Sequence, residues 1–187
     1  TALTAGPALM ILVLQAISKA TDYRIRGETI RKVALVATVA AQITVVMTIS
    51  ELFKEFCFPT HHSTRSQYLY FGLDGHGALS ICIWTAIAMI FLATVVLPIH
   101  KLRRNTWALN SACVLLFFGI LIEKGPGAVM PGFIPEQWGR VDEYLPTATE
   151  LVVSAGIWAA GAFVFTILAK VGIAVELGEL RDSPVDD

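Results

Sequence analysis

The sequence predicts an all-α protein, a polytopic transmembrane bundle of about five helices. Three observations carry that prediction. The 187 residues are 55% hydrophobic and only 16% charged, against about 25% charged in soluble domains. Mean hydropathy is +0.65. The apolar residues also come in blocks long enough to cross a bilayer.

The first block runs from about Leu3 to Ile17, in "TALTAGPALMILVLQAI", with no basic stretch before it. A signal peptide is therefore not expected. About 15 residues fall short of the ~20 that span a ~30 Å hydrocarbon core at 1.5 Å per residue. Residues 1–187 are thus expected to form one transmembrane domain that begins partway through a longer membrane subunit. The second span is expected over Val33–Phe53 and the third over Ala78–Ile99, which has no charge at all. The fourth, Thr106–Ile122, has a short apolar run, and the fifth covers Leu151–Ala169. Neither a separate soluble domain nor an internal repeat is visible.

Charge predicts the orientation. The first connection carries Lys19, Arg24, Arg26, Arg31 and Lys32, and the third carries Lys101, Arg103 and Arg104. The other two connections, with their helix ends, hold only Lys54, Arg65, Lys124 and Arg140. In short loops this bias places the first pair in the cytoplasm. The C-terminus then lies there too, and the loops Cys57–Gly77 and Gly125–Pro146 face outward. Trp84, Trp107, Trp138 and Trp158 lie mostly near expected helix ends, as interface anchors do.

Several functions are disfavoured. Net charge is −1, so nothing suggests nucleic acid. Cys57, Cys82 and Cys113 are too widely spaced for an iron–sulfur cluster in this chain. No two histidines fall at one depth in two helices, which argues against haem: some 24 helical residues set His76 and His100 ~36 Å apart. The adjacent pair His61 and His62, with Cys57, is a weak metal signal, and no metal is expected.

Ionisable groups at or inside membrane segments are functional candidates. Glu51 and Glu55 share one face at the outer end of the second span; the alternative is that they mark the interface, paired with Lys54. Asp74 and His76 stand just before the third span, among Gly72, Gly75 and Gly77. Asp74 either caps that helix or orients an imidazole that exchanges protons near neutrality, as a quinone headgroup would require. Glu123 and Lys124 end the fourth span and suit an interfacial ion pair. Glu150, three residues after Thr147, suggests a capping box, and Tyr144 supplies a hydrogen-bond donor. Glu51, Asp74, His76, Glu123, Tyr144 and Glu150 thus gather on the outer side, opposite lysine and arginine.

The segments "SELFKEF", "YLYFGLDGHGAL", "IWTAIA" and "LNSACVLLFFGILIEKGPGAVMPGFIP" together resemble the NrfD/PsrC family, the membrane subunits of polysulfide-reductase-like respiratory complexes, and most of all those of the Dsr and Hmc transmembrane redox complexes of sulfate reducers. The likeness runs from about Asp22 to Glu176. It implies the C-terminal half of a longer subunit of the cytoplasmic (inner) membrane. Such a subunit has no redox cofactor of its own, binds menaquinone or menaquinol, and is not catalytic alone. An iron–sulfur subunit docks on its outer face, beside other redox subunits such as a multihaem cytochrome or a further membrane subunit. Glu51, Asp74, His76 and Glu123 stand inside the matching segments and are carried over as quinone-binding or proton-transfer candidates. A proton-translocating module without a quinone site, or a structural anchor, fits the same residues.

Overall fold

A computed structural model describes residues 1–21, 25–58, 63–72, 77–129 and 147–176. Every regular element among them is an α-helix: α1 (Ala2–Ala20), α2 (Gly27–Cys57), α3 (Ser63–Phe71), α4 (Ala78–Val96), α5 (His100–Arg104), α6 (Thr106–Lys124), α7 (Pro126–Val129) and α8 (Ala148–Glu176). Among the described residues, five helices are long and apolar enough to cross a membrane, namely α1, α2, α4, α6 and α8. The protein is therefore an all-α, multi-pass helix bundle, as the sequence predicts. In lipid no water serves the backbone, and helices satisfy their own N–H and C=O groups. The chain divides into two compact units, Thr1–Glu143 and Tyr144–Asp187.

In the first unit, α6 packs against both α1 and α4, and α1 packs against α2. Small residues permit these approaches. Ala34, Ala37 and Ala41 on α2, with Thr4, Ala8 and Ile11 on α1, are all buried at helical spacing. The Thr4 and Thr44 hydroxyls bond each other at 2.7 Å, and Asn110 Nδ2 donates to Gln15 Oε1 at 2.7 Å. Interhelical bonds of this kind contribute about 0.6 kcal/mol each in membranes. On α4, Ile83, Ala86, Ile90 and Ala93, continued by Leu97 at its C-cap, form one buried stripe. It meets a second stripe on α6: Leu109, Ala112, Cys113, Leu116, Gly119, Ile120 and Glu123. Large apolar residues elsewhere, such as Met47, Ile81 and Phe91, are exposed, as a lipid-facing surface requires.

The helices differ in detail from the expected spans. The second is 31 residues long, or about 46 Å, well beyond the ~30 Å hydrocarbon core. Its extra turns are polar. Glu28 and Lys32 pair at 2.9 Å near its start, while Glu51, Lys54 and Glu55 occupy its last turns. The third span stops at Val96, short of the expected Ile99, because Pro98 lacks the N–H to continue the ladder. The short helices α3, α5 and α7 fall in segments read from sequence as connections. Pro126 sits at the first position of α7, where a missing N–H costs nothing. Gly72 ends α3 at φ 77°, a left-handed conformation that glycine adopts freely.

In the second unit, α8 opens with the expected capping box. The Thr147 N–H donates to Glu150 Oε2 at 2.8 Å, and the Glu150 N–H donates to Thr147 Oγ1 at 3.4 Å.

Two ends of the first unit differ in charge. The end of α1, the start of α2, α5 and the start of α6 meet at a basic end, where Lys19, Arg31, Arg103 and Arg104 line one cavity. The last turns of α2 and α6 meet α3 and α7 at an acidic end, around Glu51, Glu55 and Glu123.

Candidate functional site

Glu123 occupies the last position of the buried α6 stripe. The same periodicity that buries Leu116 and Ile120 buries this carboxylate, which is only 7% exposed. One oxygen, Oε1, pairs with Lys124 Nζ at 3.1 Å, the ion pair expected from sequence. Among the described residues, the other, Oε2, is buried with no hydrogen-bond partner, and so is Glu55 Oε2. Buried polar atoms are almost always satisfied, so two orphaned carboxylate oxygens require an explanation.

Both residues line a cavity of about 180 Å³ together with Glu51, Tyr70, Ser66 and Lys124. At ~30 Å³ per water, that is room for about six waters, which can bridge such oxygens. It is less than the ~300 Å³ at which ligand pockets begin.

Tyr70 is held from two sides. Its ring meets Phe56 of α2 edge-on, with centroids 6.2 Å apart, and Trp84 of α4, with centroids 6.3 Å apart. The Trp84 indole N–H donates to the Tyr70 carbonyl at 2.9 Å. Phe71 adds a further edge contact to Phe56 at 5.6 Å. These contacts fasten α3 across the acidic end. Burial first, and then the charges of Glu123 and Glu51, push the Tyr70 hydroxyl up to about 12. The phenol is protonated at neutral pH, as an ordinary phenol is, and it lines the same cavity as those carboxylates.

The structure thus brings Glu51 and Glu123 to one cavity. It adds Glu55, and among the described residues no salt bridge joins Lys54 to either α2 glutamate. Asp74, His76 and Tyr144 lie outside the described residues, as do His61 and His62. The N-cap position of α4 is Gly77, so the N-cap role considered for Asp74, three residues earlier, falls to a residue without a side chain. Glu150 belongs to the second unit, where its carboxylate closes the capping box. Among the described residues, no group of three His, Cys, Asp or Glu side chains is placed to hold a metal. Tyr70 was missed from sequence, although its place in "YLYF", four residues before Asp74, was the available signal.

Comparison of the chain with protein-family models, with curated proteins and with solved structures finds no match in any of the three.

Proposed function

We propose that this chain is a multi-pass subunit of a quinone-linked respiratory oxidoreductase of the cytoplasmic (inner) membrane, and that the acidic-end cavity is its proton-transfer element. The observation that carries the reading is Glu123: a carboxylate buried at the edge of a membrane bundle, one oxygen unpartnered, in a small cavity shared with two more acids and a protonated tyrosine. Intramembrane acids of this kind mark proton routes. The lysine and arginine bias orients the basic end and the C-terminus toward the cytoplasm and the acidic end outward. The family resemblance supplies the partners: an iron–sulfur subunit on the outer face and further redox subunits.

In the assembled complex, oxidation of the quinone releases two electrons and two protons and its reduction consumes them. The residues here handle protons only. Glu123 takes or gives a proton at Oε2, Glu55 and Glu51 extend the route toward the exposed end of α2, and the Tyr70 hydroxyl donates to whichever carboxylate is charged. The three acids lining this cavity equally support a second reading, proton translocation without a quinone.

The test is the intact complex in liposomes, with quinone turnover and external pH followed together. The expected result is proton exchange on the acidic-end face that tracks quinone turnover, with both lost in Glu51→Gln/Glu123→Gln. Loss of proton exchange with turnover intact would favour the second reading. An unchanged double variant would leave only a structural anchor.

A further inference from the structure

At the basic end lies a larger cavity of about 500 Å³, within the ~300–1,000 Å³ of ligand sites and far more than one inorganic phosphate needs. We propose that it binds the phosphodiester headgroup of an anionic phospholipid. Three helices bring cations to it: Lys19 from α1, Arg31 from α2, and Arg103 and Arg104 from α5. Among the described residues no acid lines this cavity, and none of these four cations forms a salt bridge.

A general bias of cations toward one membrane face does not account for this arrangement. Lys32, at the same end, is neutralised by Glu28 at 2.9 Å, and Lys101 of α5 stays outside the cavity. Four like charges lining one concavity repel one another, and an anion between them removes that cost. Arginine forks match phosphate oxygens two at a time. Gln15 accepts from Asn110 through Oε1, which leaves its amide N–H groups for a ligand. Gly27 and Thr106 bring the starts of α2 and α6 to the wall, and α2 carries no side-chain cap there. Both helix starts add positive potential.

The lipid source follows from position. Ile30 and Leu109 contribute an apolar wall, and Trp107, which is 81% exposed, stands one residue from Thr106, where interfacial tryptophans sit. The cavity therefore lies at the level where a headgroup passes into its acyl chains. Basic pockets between membrane helices recognise anionic headgroups in this way.

Native mass spectrometry of the detergent-purified protein, titrated separately with phosphatidylglycerol, phosphatidylcholine and inorganic phosphate, tests the proposal. Each cation near an anionic headgroup is worth roughly a factor of five. Wild type is expected to bind phosphatidylglycerol at least ~10-fold more tightly than phosphatidylcholine, and Arg31→Gln/Arg103→Gln to weaken the anionic lipid by roughly 10- to 30-fold. Lys101→Gln, which removes one positive charge outside the cavity, is expected to leave binding within about 2-fold, against a loss of roughly 5-fold for Arg31→Gln alone. Arg103→Lys keeps the charge and loses the fork, so a fall of roughly 3-fold is expected even if the double variant folds poorly. Equal affinity for the two lipids, or an equal loss in Lys101→Gln, would overturn the proposal. Displacement of phosphatidylglycerol by inorganic phosphate at matching concentration would overturn the lipid as its source.

Discussion

Replacing Glu123 by glutamine is expected to lower quinone-linked turnover of the assembled complex at least ~10-fold, equivalent to ~1.4 kcal/mol of barrier. Glutamine keeps the size of the side chain and a carbonyl oxygen, so the cavity and the α6 stripe are preserved. It cannot take up or release a proton in its place. Stability should change little. Lys124, which loses its 3.1 Å partner, has a side chain 41% exposed and is solvated in the variant. Glu123→Asp retains the exchangeable proton one methylene further back and should recover much of the rate. Turnover assays on both variants, with the amount of assembled complex measured alongside, check the prediction. Equal losses in Glu123→Asp and Glu123→Gln would point to packing at this position rather than proton exchange.

The largest effect on stability is expected from Gly119→Leu. A Cβ at Gly119 would stand 2.7 Å from Ile90 Cγ1 and 3.1 Å from the Ala86 carbonyl oxygen. The isoleucine can shift, but the α4 backbone cannot without moving the helix. Overpacking costs 1–3 kcal/mol, and a leucine at a backbone-to-backbone approach belongs at the upper end, about 3 kcal/mol. Gly119→Ala should cost about 1 kcal/mol. Gly6 on α1 has nothing within 4 Å of its would-be Cβ, so Gly6→Leu serves as the control, with stability unchanged within about 0.5 kcal/mol. Thermal unfolding in detergent and the level of protein in the membrane both report the difference. The change also separates α4 from the helix that carries Glu123, so lost turnover in this variant should follow lost protein.

The five spans were legible because lipid imposes one rule on every membrane-crossing helix, a long uncharged run. Their ends were less so. The last turns of α2 are polar and helical at once, and Pro98 rather than hydropathy sets the end of α4. Glu123 was legible as a candidate. Its burial was also present in the sequence, since residue 123 stands in register with Leu109, Leu116 and Gly119 on α6. Tyr70 was hidden. Its position depends on α3 being fastened by Phe56 and Trp84, from helices on either side of it in the chain, and no local pattern encodes that. The basic cavity was visible only as a loop charge count. Its convergence depends on α1, α2 and α5 meeting at one end, a property of packing.

Proton exchange at the acidic end is the central claim, and redox-induced infrared difference spectroscopy of the intact complex tests it most directly. Cycling the quinone between its oxidised and reduced forms should produce a protonated-carboxyl C=O band that shifts in deuterium oxide and is lost in Glu123→Gln. A spectrum with no such band, or a band that survives unchanged in Glu123→Gln, would contradict the account.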